Sequence, residues 1–199
     1  MAYRPVLEFP NDFLRTVSSD VTVFDEKLAA LVTDLQDTIN VVGGVGLAAP
    51  QLGVAQRVIW VATPDFTEPM INPKILEWDG PCSVKEGCLS FPNVFEQIDR
   101  FVSIKCAYQD LSGSSCEITV TGLAAHVVQH EIEHLDGILL IDKLHRIKRD
   151  RIKRKAQKKA RTLRAVFRQQ VSKQRKKKNS EVGKKELKIR KKRRLRSRG

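Results

Sequence analysis

Long apolar runs are missing from this chain of 199 residues, and nothing in it approaches the roughly 18 residues that span a bilayer as a helix. The opening Met-Ala-Tyr-Arg-Pro-Val-Leu-Glu-Phe-Pro lacks a basic flank followed by an apolar core, so it does not read as a signal peptide. Cysteine is sparse. Cys82, Cys88, Cys106 and Cys116 are too few for a disulfide framework in a body of this size, and read as reduced thiols of a cytoplasmic protein. Cys106 and Cys116 lie in apolar, strand-like surroundings and are expected only to pack. No internal repeat is present.

Acidic residues are nearly absent from the end of the chain. Residues 146–199 hold 27 Lys+Arg and 3 Asp+Glu, whereas residues 1–145 hold 9 and 20. The +13 of the whole chain is therefore a body of −11 joined to an extension of +24. The body, 1–145, is long enough to bury a core, and the extension is too charged to build one. Within it Ile152, Ala156, Ala160, Leu163 and Phe167 keep one face, which predicts a basic amphipathic helix from about Lys143 to Val171. Residues Ser172 to Gly199 are a low-complexity basic run, expected to be disordered alone.

In the body, Leu28, Leu31, Val32, Leu35, Ile39 and Val42 recur at helical spacing between Asp25-Glu26 and Gly43-Gly44. Strands are predicted over Arg57–Ala62, Met70–Trp78, Phe101–Tyr108 and Cys116–Val120, with Pro73 marking an edge or a bulge and Asp110–Ser115 a turn. A second helix opens at Thr121-Gly122 and ends near Asp136-Gly137. The order is helix, antiparallel strands, helix. That is an α+β fold.

The second helix carries His130-Glu131-Ile132-Glu133-His134. Histidines four apart stack one turn from each other, and two imidazoles with a neighbouring carboxylate suit a hydrolytic metal whose water needs a base. Glu131 is that base by position, and Glu133 is expected to be a surface charge. A catalytic site wants a third protein ligand and an open position. Cys88, on what reads as a tight glycine-containing loop between strand-like segments, Glu86-Gly87-Cys88-Leu89-Ser90, is the better third ligand; Cys82 and His126 compete less well, and His145 is expected on the surface. Gly44-Val45-Gly46-Leu47-Ala48-Ala49-Pro50-Gln51 is too isolated from a preceding strand to be a nucleotide fingerprint; it permits close backbone approach, and Gln51 offers an amide donor.

These three segments, in this order, resemble the three signature motifs of peptide deformylases. The resemblance spans about Val6 to Leu144. It departs where the family usually has aspartate at Glu133 and often arginine around Ala125-His126, and the basic run beyond about Val171 has no counterpart in it. The resemblance implies antiparallel sheets packed around a central helix bearing the HExxH motif, flanked by an N-terminal helix and a basic C-terminal one. It also implies one divalent ion on Cys88, His130 and His134. A His₂Cys site accepts zinc, iron(II), nickel or cobalt, and the family favours iron(II). Glu131 would act as base then acid, and Gln51 with the Leu89 backbone N–H would stabilise the oxyanion. The substrate would be the N-formylmethionyl start of a nascent peptide. It would lie as an added strand beside Val45, Gly46 and Gly87, its methionine entering an apolar pocket near Gly44 and Val127, with Arg100 touching its backbone.

The expected setting is a cytoplasmic monomer without membrane attachment. The basic extension, through residues such as Lys153, Arg154, Lys158 and Arg161, is expected to meet ribosomal RNA. Two other classes stay open at this point: a small metallopeptidase, and an inactive body serving a nucleic-acid-binding arm.

Overall fold

The computed structural model describes residues 3–166 and 168–170. The chain divides into two units, the first Met1–Lys153 and the second beginning at Arg154. The first unit contains helix α1 (Glu26–Val42), strands β1 (Gly46–Ala48), β2 (Val58–Thr63), β3 (Phe66–Cys88), β4 (Phe91–Gln109) and β5 (Ser115–Thr121), and helix α2 (Gly122–Leu135). The strands form one antiparallel sheet in chain order, with β1 and β5 at its edges. Helix α2 packs against all five strands. Its Ala125, Val128 and Leu135 share a core with Ile59 and Val61 of β2 and Ile104 and Cys106 of β4.

Helix α1 starts where the Asp25 carboxylate accepts from the Lys27 and Leu28 backbone N–H groups at 3.0 and 3.1 Å. It buries Leu28, Leu31, Val32, Leu35 and Ile39, which pack with Leu47, Val58, Trp60 and Ile71 in a second cluster. Val42, expected on that face, is only half-buried. The predicted turn at Asp110 is present. Its carboxylate accepts from the Ser112 and Ser114 N–H groups, and Gly113 takes a φ of 84° that favours glycine. Pro73 sits at a register shift between Ile71 and Lys74, so the bulge reading holds.

Two expectations need correction. The strand predicted over Met70–Trp78 begins at Phe66 and continues to Cys88, and that predicted over Phe101–Tyr108 begins at Phe91. Asp79 to Gly87 are poor strand formers; their pairing with residues 95–103 of β4 holds them extended, and apolar alternation does not. Consequently Gly87 is not in a loop. It is a strand residue facing Phe95, and a Cβ there would lie 2.6 Å from the Phe95 ring.

A third cluster joins Leu14, Phe91, Ile98, Leu139, Leu140, Ile141 and Leu144 to Ile152. Residues 146–153 are helical, so the first unit's core reaches past the end of the expected body into the basic helix. In the second unit residues 154–166 and 168–170 are helical, with Leu163 exposed. The reading of residues 172–199 lies outside the described residues.

Candidate active site

Strand β3 alternates between exposed positions (81, 83, 85, 87) and half-buried ones (82, 84, 86, 88), so Cys82, Glu86 and Cys88 share one face. Opposite that face, His126, His130 and His134 step along α2 one turn apart. The two rows meet residue by residue. Cys82 Sγ lies 3.5 Å from His126 Nε2, Glu86 Oε2 lies 3.2 Å from His130 Nδ1, and Cys88 Sγ lies 3.2 Å from His134 Nε2.

Cys88, His130 and His134 bring their donor atoms within 4.8 Å of one another, and form the one such group of three metal-ligating side chains among the described residues. Hydrogen bonding to Glu86 occupies Nδ1 of His130 and leaves Nε2 for an ion, the arrangement by which a carboxylate orients a ligating imidazole. The donor set, one thiol and two imidazoles with an open side, suits a divalent transition metal.

Glu131 is 4% exposed, and its Oε2 has no hydrogen-bond partner within the protein. A buried carboxylate oxygen left unpartnered is rare enough to need a reason. Its position is set by β1: a Cβ on Gly46 would fall 2.6 Å from Glu131 Oε1 and 2.5 Å from Val127. Only glycine lets the edge strand come so close. Gln51 sits on the short helix Ala49–Leu52, where its Oε1 accepts from the Ala48 N–H at 2.9 Å. That fixes Nε2, which donates to Ser90 Oγ at 3.2 Å and lies 3.9 Å from Cys88 Sγ. A cavity of about 470 Å³ opens over these groups, lined by Gly44, Val45, Gly46, Gly87, Leu89 and Val127 among others.

Two expected roles are corrected. Arg100 cannot touch a peptide, because its side chain is 1% exposed and donates to both Glu86 oxygens (2.7 and 2.9 Å) and both Glu133 oxygens (2.6 and 3.0 Å). Glu133 is correspondingly no surface charge: it is held between Arg100 and Lys143. The signal for Glu86, though not for Arg100 or Glu133, lay in the sequence. A ligating His130 needs a partner for its second nitrogen, and Glu86 stands one strand repeat before Cys88. Burial alone would raise the pKa of Glu86, but hydrogen bonds from His130 and Arg100, and their charges, outweigh it and hold the group at about 2.

Arg100→Met should therefore cost up to about 3–5 kcal/mol of stability, since it removes the shared partner of two largely buried carboxylates and leaves Glu86 only His130 and Glu133 only Lys143. Urea unfolding at neutral pH checks it. As pH falls below the ordinary carboxylate range toward about 2, Glu86 loses its depressed-pKa contribution in the wild type, and the gap between the two proteins should narrow.

His126 is not among the three clustered donors; it pairs with Cys82. Lys153 ends the first unit half-exposed, while Arg154, Lys158 and Arg161 lie exposed on the helix of the second.

A family model described as polypeptide deformylase matches residues 3–150. The chain is 41% identical over 162 residues to a peptide deformylase of Hahella chejuensis, covering 79% of this chain and 96% of that one. It is 39% identical over 164 residues to one of Desulfotalea psychrophila, covering 79% and 97%. Among solved structures, the peptide deformylase of Ehrlichia chaffeensis in complex with actinonin superposes with a TM-score of 0.77 at 34% identity, covering 80% of this chain and 98% of that one. The Legionella pneumophila enzyme gives a TM-score of 0.75 at 36% identity, covering 82% and 98%.

Proposed function

The chain belongs to the polypeptide deformylase family, and from that premise we propose that Cys88, His130 and His134 hold its metal and that Glu131 moves the protons. It is a metal-dependent hydrolase that removes the formyl group from the N-terminus of formylmethionyl nascent peptides, releasing formate. One observation carries the assignment of residues: three ligand atoms lie within 4.8 Å of one another, and two of the residues that bear them, Cys88 and His130, line the same cavity as Glu131, a buried carboxylate with an unpartnered oxygen.

When bound there, a divalent ion lowers the pKa of water and polarises a carbonyl oxygen. Glu131 accepts a proton from the attacking water and returns it to the departing amine. Gln51 aims its amide N–H toward the formyl oxygen, and the Leu89 backbone N–H adds a second donor where negative charge develops. The peptide lies along the free edge of β1 and past Gly87, with its first side chain in the cavity between Gly44 and Val127. The ion is iron(II), with zinc, nickel and cobalt as substitutes. Formate release from a formyl-Met tripeptide, by protein purified without oxygen and analysed for metal, tests this. Metal-loaded protein that releases none would overturn it.

The enzyme acts in the cytoplasm as a monomer, and its basic extension binds ribosomal RNA, where the substrate emerges. The acidic body is repelled by RNA, and exposed Arg154, Lys158 and Arg161 supply the opposite charge. Because Ile152 is buried with Leu14 and Phe91, the cut that separates the two roles falls after Lys153. The enzyme shortened there should hydrolyse a tripeptide at the full-length rate and fail to sediment with ribosomes. Full-length binding should fall by about 0.7–0.9 log units per log unit of salt for each phosphate contacted.

A further inference from the structure

The deformylation chemistry leaves one thiol–imidazole pair unused. Cys82 and His126 stand on the same strand face and the same helix as Cys88 and His134, two steps removed with Glu86 and His130 between, as a second meeting of sulfur and ring nitrogen. We propose that this pair is a second, weaker site for a soft divalent ion such as zinc or cadmium, and that its occupation blocks the cavity.

The geometry favours an ion. Bonds of about 2.3 Å to sulfur and about 2.05 Å to nitrogen, spanning the 3.5 Å between Sγ and Nε2, meet at an angle of about 107°, close to tetrahedral. The separation of the two atoms already suits chelation. Both residues are half-buried, and His126 lines the cavity, so an ion has a way in and two positions remain for water. Thiolate and imidazole together select soft or borderline metals over magnesium or calcium. Burial holds the His126 imidazole below its ordinary pKa, against a smaller opposite pull from Glu86, so a lone pair is available at neutral pH. Arg100 faces Cys82 across the strand pair, but Glu86 and Glu133 already neutralise its charge.

The consequence rests on the deformylase reading. If the cavity takes the substrate's first side chain, a hydrated ion on His126 narrows it and competes with the peptide. Inhibition by excess metal then appears as a raised KM, while the catalytic ion stays in place.

The test titrates the metal-loaded full-length enzyme with cadmium, following thiolate-to-cadmium absorption and formate release together. The wild type should bind cadmium at Cys82 with new ultraviolet absorption and a rising KM. Cys82→Ser should keep the basal rate, lose that absorption and tolerate at least about tenfold more cadmium, because even loss of an outer-shell partner costs 10–100-fold in metal affinity. Cys116→Ser, which changes a half-buried thiol away from both clusters, should behave as wild type. Equal absorption in Cys82→Ser overturns the site. Lost absorption with unchanged inhibition overturns the block. The absorption requires no turnover, so an enzyme that binds cadmium through Cys82 yet releases no formate without it counts against the deformylase reading alone.

Discussion

Glu131→Gln will keep its metal and lose deformylation by at least about 10²–10⁴-fold, the range expected when a general base is removed. The substitution preserves the side chain's shape, so Gly46 and Val127 still accommodate it, and the ligands on either side of it in α2 are untouched. What changes is chemistry at one atom. The wild-type Oε2, buried and without a partner in the protein, can take a proton, and an amide cannot. Burial pushes the Glu131 carboxyl up to about 7, against the pull of His130, and a divalent cation beside it acts in the same downward sense as His130. The base works when ionised, so the wild-type rate should climb as pH rises through this ionisation. That limb should vanish in the variant. The check is kcat against a formyl-Met peptide, normalised to bound metal. Near-normal turnover in the loaded variant would sink the role given to Glu131.

The second large effect is loss of the ion itself. Cys88→Ala should purify with almost no metal and no measurable formate release, because two imidazoles on one helix leave an ion with half a tetrahedral shell. His134→Ala should do the same. Cys82→Ala is the discriminating control, since it removes a thiol from the same strand face, yet its sulfur meets His126 and not the three-donor centre. It should retain the catalytic ion and its activity. Metal analysis after exhaustive dialysis decides: full occupancy in Cys88→Ala, or its loss in Cys82→Ala, would mean that the wrong thiol has been assigned.

Much of this centre was legible in the sequence because its parts carry local signatures. Helix spacing stacks His130 over His134, Asp25 caps α1, and Asp110 builds its own turn. What escaped was whatever depends on a partner far along the chain. Strand β1 is three residues long and is a strand only because Gly46 to Ala48 pair with Val61 to Ile59. The polar half of β3 is extended for the same reason. Arg100 looked like a substrate contact and Glu133 like a surface charge, since nothing near them in sequence foretells a buried ion-pair network; the register of Cys82 opposite Arg100 places the arginine under α2. Charge alone does not reveal burial. Ile152 was readable as part of a helix stripe, but not as a member of the body's core.

The position of β1 at the rim of the sheet carries a consequence for the breadth of what the enzyme serves. One of its edges pairs with β2, and among the described residues no strand pairs with the other beside Gly46, where the cavity opens. A peptide that adds itself to such an edge is recognised through amide groups common to every protein, while side chains past the first point alternately away from it. On that binding mode, discrimination is spent at the first residue and hardly anywhere else. An enzyme so built can act on the products of many genes alike, and sequence differences downstream of the start should spread their rates far less than a change of the first side chain does.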